Sequence, residues 1–234
     1  MRVAIIGTGY VGISTGVCLA YIGHQVTCVD ANPEKIEQLQ NGNPPIFEPH
    51  LSQLLSDSRL RLTFTTSYAD AIPESDVVFI AVGTPPGIHG APDLQYLRAA
   101  ASELGRHLGN QFTVIVNKST VPVGSGTMVD SIVRDSAPNG NFCIASNPEF
   151  LREGSALHDS LYPDRVVLGA DEKGISILSA LYRPILDQSF SPPTYLPRPE
   201  GVGAVPVVTT DRASAELIKY AANAFLALKI SFIN

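Results

Sequence analysis

Gly7, Gly9 and Gly12 stand at G-x-G-x-x-G spacing in the run Gly7-Thr8-Gly9-Tyr10-Val11-Gly12, and Asp30 follows about 20 residues on. Each position answers a need of dinucleotide binding. The first glycine makes a tight turn, the second lets backbone approach a pyrophosphate, and the third lets helix and strand pack closely. The free N–H groups of Tyr10 and Val11, at a helix N-terminus, would face the phosphates with a partial positive charge. A carboxylate at Asp30 would accept the hydroxyls of the adenosine ribose and repel a 2′-phosphate, which points to NAD rather than NADP. The competing reading makes these packing glycines in some other βαβ unit.

Further polar groups sit at the ends of predicted elements. Lys35 lies five residues past Asp30, near the adenosine end, or is simply a solvated helix lysine. Val82-Gly83-Thr84-Pro85-Pro86 ends an apolar run, at the strand end that faces a ligand crevice in open α/β sheets. Lys118-Ser119-Thr120 ends another, where a hydroxyl could hold a water or a substrate oxygen, or Thr120 could cap the next helix. If Asn147 caps a helix and Pro148 opens it, Glu149 and Glu153 fall at i, i+4 on one face. Like charges so placed destabilise a helix unless they serve a ligand or a water, where one could be a general base; otherwise they are two solvated acids. Lys219 and Asn223, also i, i+4, lie among apolar neighbours. Both donate hydrogen bonds, as an oxyanion requires, unless Lys219 pairs with Glu216 at a surface.

The elements that must place these groups alternate. Apolar runs at 3–6, 26–29, 76–82, 112–116, 142–145 and 165–168 read as strands, with a further candidate at 61–65. Helical patterns fall at 10–23, from 33, 51–55, 68–72, 93–108 with Asp93 as cap, 122–135 and 172–182. This is an α/β chain of Rossmann type: a doubly wound, mostly parallel sheet. Residues 187–206 are Pro-rich and poorly periodic. Residues 211–234 hold no Pro or Gly, show no stop signal, and carry apolar side chains on several faces. Such a helix is expected to be buried on more than one side, which makes the chain read as part of a longer protein. The expected division is 1–205 as the NAD-binding domain and 206–234 as the start of a central interdomain and dimerisation helix.

Composition narrows the partners. The 234 residues are 44% hydrophobic and 16% charged, with a net charge of −6, ample for a buried core and without a basic patch for nucleic acid. Cys18, Cys28 and Cys143 are odd in number and scattered. They form no disulfide framework or C-x-x-C metal site and suit a reducing cytoplasm. Residues 3–29 carry no formal charge and could be mistaken for a membrane span or signal peptide. Their glycines and hydroxyls argue instead for a buried parallel strand and its turn.

The chain resembles the N-terminal half of the UDP-glucose/GDP-mannose dehydrogenases, closest to the UDP-glucose-oxidising members. The matching stretches are GTGYVG (7–12), NPPIFEPHL (43–51), VGTPP (82–86), KSTVPVG (118–124), SNPEFLREGSALHD (146–159), PDRVVLG (163–169) and AELIKYAANAFLALKISFIN (215–234). One departure is His50, where the family often has Gly. The resemblance implies NAD-dependent, four-electron oxidation of the C6 alcohol of UDP-glucose to a carboxylate through a cysteine thioester. Carried over by motif, Thr120 would help hold the catalytic water and Glu149 would assist thioester hydrolysis. Glu153 would lie between nicotinamide and sugar. Lys219 and Asn223 would stabilise the C6 oxyanion, and Phe150 and Leu151 would give backbone contacts to the substrate. Gly7 to Gly12, Asp30, Lys35, Gly83, Thr84, Pro85, Thr120 and Glu153 would line NAD. The family's nucleophilic cysteine, in a GGxCxPKD-like segment, and its second domain are absent from these residues. Alternatives are a sibling acting on GDP-mannose or a UDP-N-acetyl sugar, or a non-catalytic NAD-binding module. A homodimer through the central helix is expected by the same resemblance.

Overall fold

The computed structural model describes residues 1–87 and 91–233. Eight strands form one sheet, in the order β3-β2-β1-β4-β5-β6-β7-β8. They are β1 (Arg2–Ile6), β2 (Gln25–Val29), β3 (Leu62–Thr65), β4 (Val77–Ile80), β5 (Thr113–Asn117), β6 (Phe142–Ser146), β7 (Val166–Gly169) and β8 (Val207–Thr210). Neighbours from β3 through β6 pair in parallel; β6 meets β7 antiparallel, and β7 and β8 are parallel to each other. Every residue of β4, β5, β6 and β7 is buried. Helices cover both faces, which explains why these strands read as unbroken apolar runs. The core accordingly splits into two layers, one around Ile5, Val17 and Phe79 and one around Ile6, Ile80, Leu97 and Ile115. The expected doubly wound α/β architecture is the observed one.

Helices α1 (Tyr10–Tyr21), α2 (Pro33–Gln40), α3 (Leu51–Ser58), α4 (Tyr68–Ala71), α5 (Gln95–Arg106), α6 (Ser125–Ser136), α7 (Ala156–Leu161), α8 (Glu172–Leu186) and α9 (Arg212–Ile233) complete it. The Asn32 side chain caps α2 as its sequence predicts, accepting from the Glu34 and Lys35 amides. His50, the departure from glycine, sits in the left-handed region at φ 66°, so the backbone there is one that favours glycine. Its ring stacks on Tyr195 with centroids 5.4 Å apart.

Several expectations change. The helix expected from Pro122 begins at Ser125, because Gly124 (φ 97°) turns the chain at the N-cap position. Thr120 is therefore not a cap; its carbonyl accepts the Thr84 hydroxyl at 2.9 Å. Leu94 occupies the N-cap position of α5, although the Asp93 carboxylate still accepts the Gln95 amide. Residues 207–210, which periodicity does not mark, form β8. The first turns of α9 press on the end of β7, where a Cβ on Gly169 would meet Ala215 Cβ at 2.6 Å. Beyond Lys219, α9 is not buried on several sides: Phe225, Leu226, Leu228, Phe232 and Ile233 are exposed. Asn234 lies outside the described residues.

Candidate dinucleotide and catalytic site

The order of strands reverses between β1 and β4, and the crevice outside their carboxyl ends is where a doubly wound sheet binds ligands. The chain closes this point tightly. Gly7 adopts φ 96°, and a Cβ on it would meet the Ala81 carbonyl oxygen at 2.7 Å. A Cβ on Gly12 would lie 1.9 Å from the Gly7 carbonyl oxygen, so α1 rests directly on the turn. A Cβ on Gly9 would meet nothing within 4 Å. Gly7 and Gly12 are thus packing glycines, whereas Gly9 leaves open space where a ligand's backbone approach is needed. Gly9, at the N-cap, offers α1 no side-chain cap, so the first amides of the helix have no side chain to satisfy them.

Asp30, at the tip of β2, accepts the Thr8 amide (2.9 Å) and hydroxyl (2.7 Å) on Oδ2 and the Asn32 amide on Oδ1 (3.0 Å). Lys35 Nζ stands 3.7 Å from the same carboxylate, a pairing that its spacing left open. Burial works against the charged form. The Thr8 hydrogen bonds, the Asn32 amide and Lys35 outweigh it and hold the carboxyl below its ordinary 3.8. The opposite wall of the crevice is tied together. Ser119 Oγ donates to the Val82 carbonyl at 2.7 Å, and Thr84 bonds to Thr120, so Gly83, Thr84, Pro85 and Thr120 come together at the ends of β4 and β5. These residues fit an NAD: uncapped helix amides for a diphosphate, an ionised acid for a ribose, and open space at Gly9.

The loop after β6 departs most from expectation. Residues 147–152 are not helical, and Glu153-Gly154 form a turn in which Gly154 has φ 80°. The reason is that Asn147 is not available as a cap. Its side chain is buried, accepts from Lys118 Nζ (3.0 Å) and Tyr182 Oη (2.6 Å), and donates to the Val167 carbonyl (2.9 Å). Glu149 and Glu153 therefore do not share a helix face. Glu149 forms an ion pair with Lys219 at 2.9 Å, both side chains nearly buried, and accepts the Leu151 amide at 2.7 Å. Glu153 is exposed at the turn, close enough for its charge to act on the Tyr10 phenol. The Phe150 ring lies beneath Arg165 (4.5 Å) and near Lys219 Nζ (5.4 Å). Asn223 is exposed on α9, one helical turn beyond Lys219.

Lys219 does not pair with Glu216. The Glu216 carboxylate is buried and accepts the Gly124 and Gly126 amides, both at 2.7 Å, at the start of α6. It caps the N-terminus of α6, a role for which Thr120 was one sequence candidate. Sequence reasoning missed this role, since the partners are 90 or more residues apart. The one signal was an acid on an apolar stripe.

Between this loop, α1, α7 and α8 lies a cavity of about 350 Å³ whose lining includes Lys118, Asn147, Glu149, Arg165 and Tyr182. Lys118 is buried, and burial, with Lys219 nearby and Glu149 opposing, lowers its pKa to about 8. An unfolded lysine keeps its proton to about 10.5, so between these values the unfolded chain binds more protons and stability rises with pH. Relative to Lys118→Met, the parent should gain on the order of 3 kcal/mol from pH 8 to pH 10.5. Urea unfolding of both chains across that range checks this, the difference cancelling other titrations; parallel curves refute it.

Cys18, Cys28 and Cys143 are free and buried, and burial pushes each thiol up to about 12. Among the described residues no three His, Cys, Asp or Glu side chains are grouped to hold a metal, and no helix is long and apolar enough to cross a membrane.

A model described as the UDP-glucose/GDP-mannose dehydrogenase family, NAD binding domain, matches residues 1–186. The chain is 48% identical over its whole length to the UDP-glucose 6-dehydrogenase TuaD of Bacillus subtilis, covering 47% of that protein. It is 46% identical to a UDP-glucose 6-dehydrogenase of Rhizobium meliloti, covering 51% of it. It superposes with a TM-score of 0.88 on the structure of a UDP-glucose dehydrogenase from Pyrobaculum islandicum, at 41% identity, covering 100% of this chain and 51% of that one. The same score relates it to the GDP-mannose dehydrogenase of Pseudomonas aeruginosa in a ternary complex, at 33% identity and 51% of that chain. The chain spans about half the length of the curated relatives it matches. With a dinucleotide crevice at the switch point and a family match over most of its length, the chain belongs to the UDP-glucose/GDP-mannose dehydrogenase family and carries its NAD-binding domain.

Proposed function

We propose that this chain is the NAD-binding part of an enzyme that oxidises UDP-glucose at C6 to UDP-glucuronate. The observation that carries the reading is the convergence, at one end of the sheet, of the Gly7–Gly12 turn, Asp30, the Thr84–Thr120 wall and the Glu149–Lys219 pair. Bound NAD would supply the electron acceptor for the alcohol carbon. The chain's own residues then divide the remaining work. Gly9, with the amides of Tyr10, Val11 and Gly12, holds the diphosphate. Asp30 and Lys35 hold the adenosine ribose. Thr120 helps hold a water, and Glu149 assists its attack on a thioester. Glu153 stands between nicotinamide and sugar. Lys219 and Asn223 donate to the C6 oxyanion, and the Phe150 and Leu151 backbones contact the substrate. An ammonium held in place by a neighbouring carboxylate, both side chains nearly buried, is pre-positioned to donate to an oxyanion.

The division at 1–205 and 206–234 is part of this reading. So is a homodimer through α9, whose exposed Phe225, Leu228 and Phe232 give a second copy an apolar face. Three reduced, buried thiols suit a cytoplasmic protein. A sibling nucleotide-sugar specificity is the alternative, since the GDP-mannose enzyme shares this fold equally well.

None of the three cysteines can act as nucleophile, because a thiol that attacks must be accessible and ionised. The 234-residue chain should therefore bind NAD in preference to NADP, sediment as a dimer, and form no UDP-glucuronate from UDP-glucose. Calorimetry, sedimentation and product assay on one sample test these together. Absence of NAD binding would overturn the reading, and product formation would overturn the exclusion of the cysteines.

A further inference from the structure

Glu48 lies in the Pro-rich loop between α2 and α3, yet its side chain is buried. Its Oε2 accepts the Tyr10 phenol at 2.6 Å and the Gly154 amide at 3.0 Å. The Gly154 amide also donates to the Tyr10 oxygen at 2.9 Å, and the Arg152 carbonyl lies 3.0 Å from the same phenol. These contacts join three segments. Tyr10 is the first residue of the helix whose amides face the dinucleotide. Gly154 closes the turn of the loop that carries Glu149 and Glu153. Glu48 bridges the two from a third element.

Two ion pairs also fasten the loop. Glu149 is tied to Lys219, and Arg152 is bound to Asp159 by both side chain and backbone amide. Neither reaches the glycine turn. Only the Glu48 node, among these three, connects the loop to the fingerprint helix. A carboxylate that accepts two N–H or O–H donors at these distances is a strong, directional tie. The node also lies beside Glu153, whose charge acts on the phenol.

We propose that Glu48 is a positioning residue: with the Tyr10 phenol, it clamps the turn at Gly154 to the N-terminus of α1, so that the loop bearing Glu149 and Glu153 is placed by the dinucleotide site. The coupling to NAD rests on the function proposed above; the clamp itself does not. Occupancy of the glycine turn steadies Tyr10, and Tyr10 with Glu48 steadies the loop.

The test is amide hydrogen exchange at Gly154, read by NMR on the whole 234-residue chain, with Val116 of the central strand as an internal reference. Without NAD, Glu48→Ala should speed Gly154 exchange about tenfold relative to Val116. Glu48→Gln, with its amide oxygen in the place of Oε2, keeps an acceptor for both the Gly154 amide and the Tyr10 phenol. It should stay within about threefold of the parent. A purely structural role would shift Val116 along with Gly154 and show no such rescue. Saturating NAD should slow Gly154 exchange in the parent and leave it unchanged in Glu48→Ala. Unaltered Gly154 exchange in Glu48→Ala, or equal slowing by NAD in both chains, overturns the proposal. If Glu48→Ala does not fold, Tyr10→Phe replaces it, and there an unchanged Gly154 rate overturns the proposal. A parent that fails to bind NAD would remove the functional reading, while the NAD-free comparison still decides the clamp.

Discussion

Gly12→Ala should abolish detectable NAD binding and lower the melting temperature by about 10 °C. The added methyl would be 1.9 Å from the Gly7 carbonyl oxygen and 3.0 Å from its carbon. Neither group can yield cheaply. Gly7 is itself pinned at φ 96° against the Ala81 carbonyl, with its amide donating to Val29 at 2.7 Å. The helix must lift off the turn, which disturbs the packing of Ile13 and Val17 in the core beneath it. Overpacking against backbone typically costs about 1–3 kcal/mol and more where nothing can move. Gly9→Ala is the informative companion. Its methyl meets nothing within 4 Å, and its φ of −71° suits any residue. The variant should keep the parent's melting temperature and lose about 30-fold in NAD affinity, because the methyl occupies the approach of the diphosphate. Calorimetry and thermal unfolding on both variants check the pair. Unchanged affinity in Gly9→Ala would refute the role assigned to the open space at Gly9.

Asp30→Ala should weaken NAD by about 30-fold, equivalent to about 2 kcal/mol, with a smaller loss of stability. Two interactions go at once. The ribose loses a charged acceptor, and the Thr8 amide and hydroxyl lose the carboxylate that holds the glycine turn in place. Asp30→Asn separates them: the amide oxygen can still accept from Thr8, so stability should be nearly restored while affinity stays reduced. The pH dependence has a fixed sign. Because the folded carboxyl is held below its ordinary 3.8, its stabilising contribution is complete at neutral pH and is lost as pH falls through the folded value. NAD affinity should therefore be flat from about pH 5 to pH 8 as far as Asp30 is concerned. Titrations at several pH values check this; unaltered affinity in Asp30→Ala would refute the role assigned to the acid.

The glycine turn, Asp30 and the alternation of strand and helix were legible because each is a local signal. A parallel strand buried on both faces shows as an apolar run, and an Asn-Pro helix start caps itself within three residues. Asp30 and Lys35 are likewise close in the chain, and they meet in the structure. The Glu149–Glu153 loop was misread for the same reason. Asn147 looks like a cap to its neighbours, but the buried Lys118, Tyr182 and Val167 groups take all of its hydrogen bonds. Helix-period spacing of two acids carries no information once the cap is occupied elsewhere.

What the sequence by itself determined is the strands β1 to β7, the turn and the kind of ligand the turn accepts, since these follow from backbone conformation and side-chain periodicity over a few residues. The tertiary structure alone decided which charges meet: Glu149 with Lys219, Glu216 with the start of α6, and Glu48 with Tyr10 and Gly154. A buried polar group must find a partner or lose its hydration uncompensated. The partner is chosen by proximity in the folded sheet, across separations of 70 to 106 residues in the loop and helix-cap contacts, where no local pattern registers it.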